Sequence, residues 1–243
     1  MNLVIDVGNS SVKLAVFKKD ELIFKTTVKL SEVEEEIEQF MLKFPSLNRA
    51  IVSSVGKLKN TQIKAIRSKI ELFELTHKSK LPFKNEYDTP TTLGIDRIAL
   101  VAASVFQYPK VNTLIIDAGS CITYDFVTDK NEYLGGAISP GIKMRYKAMH
   151  NFTANLPFLD TEKPMSFIGS STNSSMHSGV VNGVVNEIDG FISNYLNEFS
   201  DLTVILTGGD AEFLSEQLKS SIFANSNFLL EGLNFILKYN SNE

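Results

Sequence analysis

A seven-residue segment occurs twice in this chain, and the two copies lie close to half its length apart. Leu3-Val4-Ile5-Asp6-Val7-Gly8-Asn9 aligns on Leu114-Ile115-Ile116-Asp117-Ala118-Gly119-Ser120, an offset of 111 in 243 residues. Each copy reads as a buried strand ending in Asp, a Gly turn, and a second strand, over residues 12–17 and 122–127. A repeat on this scale implies a duplicated α/β domain, divided as 1–110 and 111–243. The chain is long enough for each half to bury its own core.

The pattern between the copies agrees with alternating strands and helices. Residues 21–28 read as a third strand, rich in β-branched and aromatic side chains. Ser31 and Glu34 have the capping-box spacing, and Val33, Ile37, Phe40, Met41 and Phe44 follow with helical period up to Pro45. A buried strand at 49–55, a helix at 61–70 and a short strand at 72–75 come next. Residues 76–94 contain two prolines and mixed polarity, and read as a long functional loop before a helix at 96–106. After the second repeat come a strand at 132–138, a long helix at 173–199, a buried strand at 202–206 and two closing helices. The long helix has an apolar stripe running from Met176 through Val184 and Ile188 to Phe199.

Glycine in a turn lets backbone N–H groups approach an anion, and carboxylates are natural ligands for the hard cations that accompany phosphates. Two Asp-x-Gly turns facing each other across a cleft would hold a nucleotide phosphate chain and its cations. Asp and Gly also close ordinary hairpins. A third element tips the balance: Leu206-Thr207-Gly208-Gly209-Asp210 follows a buried strand, where flat backbone would admit a ligand.

Composition removes several other functions. The net charge is -4, which argues against a general binder of nucleic-acid backbones while leaving room for local basic patches. The opening segment lacks a basic region, and Asp6 interrupts its apolar run, so no secretory leader is expected. The longest apolar stretch, 98–106, is too short to span a bilayer, so no membrane partner is expected. A single cysteine, Cys121, gives no disulfide framework, and His77, His150 and His177 lack zinc-ligand spacing. These features point to a cytoplasmic protein.

Five motifs in fixed order resemble the type III pantothenate kinases. Asp6-Val7-Gly8-Asn9-Ser10 with Lys13 is similar to that family's first phosphate motif, and Asp117-Ala118-Gly119-Ser120-Cys121-Ile122-Thr123 to its second. Gly94-Ile95-Asp96-Arg97 matches its Gly-x-Asp-Arg motif. Gly135-Gly136-Ala137-Ile138-Ser139-Pro140-Gly141 matches its Gly-Gly-x-Ile-x-Pro-Gly stretch, and Thr207-Gly208-Gly209-Asp210 its adenosine motif. Ser10 and Ser120 replace the usual threonines and keep the hydroxyl; Cys121 replaces a usual alanine.

The resemblance implies duplicated actin-like (ribonuclease H-like) domains with a nucleotide cleft between them. It also implies transfer of phosphate from ATP to pantothenate, the first step toward coenzyme A. A homodimer, Mg2+ or a similar divalent cation, and a monovalent cation such as K+ or NH4+ are implied with it. Asp96 is then the general base, and Tyr87, Gly94, Ile95, Arg97 and Thr172 contact the acceptor, Thr172 across the dimer interface. Asp6, Val7, Gly8, Asn9, Ser10, Ser11, Val12, Lys13, Ser120, Gly208 and Gly209 hold ATP. Asp117 binds the monovalent cation, and Asp6 helps hold the divalent metal.

Each role has a plainer counterpart. Asp96 and Thr172 also suit helix starts, Arg97 a surface ion pair, Tyr87 packing on a core, and Lys13 a solvent-facing strand. Cys121 suits a small packed side chain. Two functional alternatives stand beside the kinase: phosphorylation of another small hydroxylated metabolite, or a catalytically silent regulatory factor. Retention of Asp6, Asp96, Arg97 and Asp117 argues against the latter.

Overall fold

The structure, a computed structural model, describes residues 1–8, 11–53 and 58–241. It divides into two compact units, Met1–Pro109 with Asn227–Glu243, and Lys110–Ser226.

The first unit opens with β1 (Asn2–Val7), β2 (Val12–Lys18) and β3 (Glu21–Val28), each antiparallel to the next. A 3-10 turn at Leu30–Glu32 leads into α1 (Val33–Lys43). The cap differs from the expected Ser31–Glu34 pair: Glu32 folds back to accept the backbone N–H of Lys29 at 3.1 Å. Then come β4 (Arg49–Val52), α2 (Asn60–Lys69), β5 (Glu71–Glu74), a two-residue β6 (Lys84–Asn85), a 3-10 turn at Pro90–Thr92 and α3 (Ile95–Gln107). β4 joins β1, and β5 joins β4, both parallel, giving the order β3-β2-β1-β4-β5. Its apolar face packs on α1 and α2: Leu3, Ile5, Leu14, Ile37, Phe40 and Ile66 are fully or almost fully buried.

The second unit repeats this plan. β7 (Asn112–Ala118), β8 (Cys121–Val127) and β9 (Glu132–Pro140) are antiparallel neighbours. They are followed by α4 (Ile142–Phe152), α5 (Thr172–His177), a π-helical segment at Ser178–Asn182 and α6 (Gly183–Glu198). β10 (Leu202–Thr207), α7 (Ala211–Ser215) and β11 (Phe223–Ala224) close the unit. β10 joins β7, and β11 joins β10, both parallel, so the strands run β9-β8-β7-β10-β11. That order and those directions are the same as in the first sheet, so the duplication read from seven residues extends through five strands. The expected long helix is present and its stripe is buried from Met176 through Val184 to Ile188; beyond that Ile192 is buried, while Phe191, Tyr195 and Phe199 are half-buried. The π-helical segment re-phases that stripe midway.

The last helix, α8 (Phe228–Asn240), lies outside the expected division at 110/111. It returns to the first unit and packs on α3, with Gly232 directly against the backbone of Ala99. Asn234 secures it, its side-chain amide donating to the Lys19 carbonyl at 2.8 Å and accepting from the Asn2 side chain at 2.9 Å. No helix among the described residues is long and apolar enough to cross a membrane.

Candidate active site

In the first unit, Asp6 is the next-to-last residue of β1, with 9% of its surface exposed. β4 runs alongside in parallel, so the residue after its end, Ser53, comes level with Asp6. The Ser53 hydroxyl donates to Asp6 Oδ1 at 3.0 Å and accepts the Val7 backbone N–H at 3.0 Å. One buried serine thus fixes both the carboxylate and the entry to the Gly turn. Across the antiparallel ladder Asp6 faces Lys13, which is exposed, so both side chains lie on one sheet face. Val7 and Val12 are buried, and the Gly8 N–H closes the turn onto the Ser11 carbonyl at 3.0 Å. Asn9 and Ser10 lie outside the described residues.

The Gly94-Ile95-Asp96-Arg97 motif forms the start of α3. Gly94 is the N-cap and Ile95 the first helical residue, which puts Asp96 in the first turn, exposed. Asp96 Oδ1 accepts the Arg97 N–H at 2.9 Å. Its carboxylate folds over Gly94, where a methyl group would overlap it. Arg97 is buried at 5% exposure, and its guanidinium sits 5.5 Å from the centre of the Tyr87 ring. The preceding loop is tied down by His77 Nε2 against the Leu93 carbonyl at 2.8 Å and by Asn85 Oδ1 accepting the Tyr87 N–H at 3.0 Å. Tyr87, Gly94, Asp96 and Arg97 therefore form one cluster.

In the second unit, Asp117, next to last in β7, is level with Thr123 of β8 and Thr207 of β10. Three oxygen-bearing side chains stand abreast on one sheet face. Thr207 occupies the position in this sheet that Ser53 holds beside Asp6. The ladder registers agree with second strands starting at 12 and 122: Asp6 pairs seven residues ahead and Asp117 six, so the first turn carries one more residue.

The Gly119-Ser120 turn, the β9–α4 corner and the Gly208-Gly209 loop meet here. The Gly141 N–H donates to the Ser120 carbonyl at 3.2 Å, and the Asp210 N–H to the Ala118 carbonyl at 2.9 Å. Gly208 has φ +98, and a methyl there would overlap both the Ala118 carbonyl and the Asp117 carboxylate. Ser120 and Gly209 are exposed. Burial pushes the Asp210 carboxyl above its ordinary range, partly offset by Lys143.

Thr172 also belongs to this second unit. It is the first residue of α5 and is exposed; the cap is Ser171, whose Oγ accepts the Ser174 N–H at 3.2 Å. The plainer reading of Thr172 therefore passes to its neighbour. Cys121 is half-buried at the start of β8. Among the described residues, no group of three or more His, Cys, Asp or Glu side chains forms a metal-binding cluster. A magnesium ion carried on nucleotide phosphates requires only one or two carboxylates.

Residues 2–194 match the family model of type III pantothenate kinase. The chain belongs to the type III pantothenate kinase family. A family relative from Christiangramia forsetii, named type III pantothenate kinase, is 52% identical over 243 residues, covering 100% of both chains. Among solved structures, one from Campylobacter jejuni, described as a candidate Baf family transcriptional activator, aligns with TM-score 0.63 at 24% identity, over 99% of this chain and 100% of that one. A ROK hexokinase from Thermus thermophilus aligns with TM-score 0.54 at 12% identity, over 96% and 97%. These structural likenesses establish the fold alone: two duplicated actin-like domains.

Proposed function

We propose that the protein transfers the γ-phosphoryl group of ATP to the primary hydroxyl of pantothenate, giving ADP and 4'-phosphopantothenate. Family membership over most of the chain supports this reading. The observation that carries it is the Tyr87–Gly94–Asp96–Arg97 cluster, an exposed carboxylate followed in sequence by a buried arginine against Tyr87 at a helix start.

Phosphoryl transfer demands positioning and charge stabilisation more than covalent help from the protein. Asp96 accepts the acceptor hydroxyl proton as its oxygen bonds to the γ-phosphorus and the bond to ADP breaks. Arg97 holds the pantothenate carboxylate through its planar fork, and Tyr87 covers the apolar part of the acceptor. Ser120, Gly208 and Gly209 receive ATP in the second unit; Val7, Gly8, Ser11, Val12 and Lys13 do so in the first, together with Asn9 and Ser10. Asp6, held by Ser53, suits a phosphate-bound divalent cation, which would neutralise charge on the transferred group. Asp117 suits a monovalent cation such as K+ or NH4+, with Thr123 and Thr207 level beside it. Thr172 meets the acceptor bound to a second copy of the chain, in a cytoplasmic homodimer.

The test is ADP release with ATP, magnesium and potassium, in the presence of pantothenate, glucose or N-acetylmannosamine. Turnover with pantothenate alone supports the reading; turnover only with a sugar overturns it.

Ser53→Ala tests how Asp6 is held. The carboxylate and the Val7 N–H both lose a buried partner, at a cost of about 1–3 kcal/mol. We expect kcat to fall by about tenfold, with the pantothenate KM little changed. Ser53→Thr, which keeps the hydroxyl, should recover most of the rate.

A further inference from the structure

From the packing around Glu187, we infer that Arg145 and Glu187 are positioning residues for the nucleotide, clamping the Pro140–Gly141 corner beneath the Ser120 turn. Three elements converge on Glu187 of α6. Tyr124 of β8 donates its hydroxyl to Glu187 Oε1 at 3.0 Å, and Arg145 of α4 donates from Nη2 to Oε2 at 2.6 Å. The same Arg145 Nη2 reaches Ser139 Oγ of β9 at 2.9 Å, while Nε donates to the Pro140 carbonyl at 2.9 Å. The two charged side chains are only 22% and 24% exposed, so the pair is more shielded from water and salt than a surface ion pair. Tyr124 itself is fully buried and stacks on Phe191 at 4.0 Å between centroids.

The clamp lies one backbone step from the nucleotide turn. Arg145 holds the carbonyl of Pro140; the next residue, Gly141, donates its N–H to the Ser120 carbonyl at 3.2 Å. Gly141 also lies so close to the Gly119 and Ser120 carbonyls that no side chain fits between them. The position of the corner therefore sets the direction in which the Ser120 hydroxyl and the Gly119 backbone face. Burial alone would raise the Glu187 carboxyl. Hydrogen bonds from Arg145, Ser139 and Tyr124 outweigh burial and hold it below its ordinary range, which keeps the clamp charged at neutral pH. Neither residue is placed to touch the nucleotide; both act through the backbone that does.

This inference rests on the proposed contact between Ser120 and ATP, and its test avoids the acceptor. ATP with magnesium is titrated calorimetrically into wild type, Arg145→Ala, Arg145→Lys and Glu187→Gln without pantothenate, and melting is recorded for each. We expect Arg145→Ala to weaken ATP binding by about tenfold, as expected when a charged hydrogen-bonding group is removed. Arg145→Lys, which retains the charge and can still donate but loses the planar fork, should recover part of the loss. Glu187→Gln keeps an acceptor for Tyr124 but loses the ion pair, and reads the clamp even should Arg145→Ala fail to fold. In turnover, the ATP KM should rise while kcat and the pantothenate KM stay within twofold of about wild-type values. Unchanged ATP affinity in folded variants overturns the clamp alone. So does a loss that tracks melting temperature and affects both substrates equally. Absence of ATP binding by wild type overturns the nucleotide reading and the clamp together.

Discussion

Asp96→Asn is expected to lower kcat by about 10²–10⁴-fold while leaving the protein folded with a nearly unchanged melting temperature. The two parts of this result separate catalysis from structure. Asp96 is exposed in the first turn of α3, and its Oδ1 accepts the Arg97 N–H. An asparagine carbonyl oxygen accepts the same bond, and Asn is well tolerated near helix starts. Loss of the charge at the helix N-terminus costs at most about 1 kcal/mol at an exposed position. What Asn cannot do is take a proton from the acceptor hydroxyl. ATP binding, measured separately, should persist. A variant retaining near-normal turnover would remove Asp96 from the base role and leave it as a helix-start residue.

Gly208→Ala is expected to abolish measurable ATP binding and to destabilise the second unit. Gly208 has φ +98, where an L side chain is strained by about 1–3 kcal/mol. The added methyl would also overlap the Asp117 carboxylate and the Ala118 carbonyl, and the carbonyl cannot yield without moving β7. The displaced groups are those that define the Asp117–Ser120 turn, so stability and binding should fall together. The neighbouring Gly209 meets nothing within 4 Å of an added methyl and lacks positive φ. Gly209→Ala should keep stability, and any loss of ATP affinity there reports direct contact with the nucleotide. Thermal melting and ATP titration of the two variants check this pair.

The repeat was legible because its signal is local: a run of apolar residues, then Asp, then Gly, on one short segment. Five strands per unit follow from it, since the same strand directions recur around β1 and β7. The one-residue difference between the turns shows in the starts of the second strands, at 12 and 122 against a motif offset of 111, and the ladder register fixes it. α4 carries little sequence signal because only Ile142 and Tyr146 are buried on it and Gly141 is its cap, leaving neither a strong stripe nor a capping side chain. The destination of α8 depends on close backbone packing of Gly232 on Ala99, a contact between residues far apart in sequence.

The same distinction applies at the site. Asp6, Asp96, Arg97, Asp117 and the Gly-rich turns are readable as chemistry-bearing motifs. The residues that hold them are not: Ser53 lies 47 positions from Asp6, and Glu187 lies 42 from Arg145 and 63 from Tyr124. Serine and glutamate at such positions carry no pattern until the sheet and helices bring them together. Arg97 illustrates the limit from the other side, since its motif is visible but its burial against Tyr87 is not.

The most direct test of the central claim is 31P NMR of purified protein incubated with ATP, magnesium, potassium and pantothenate. The account predicts loss of the γ-phosphate signal with equimolar appearance of ADP and a phosphomonoester coupled to the primary CH₂ of pantothenate. ATP that binds yet yields no phosphomonoester, or one formed only on a different acceptor, would contradict it.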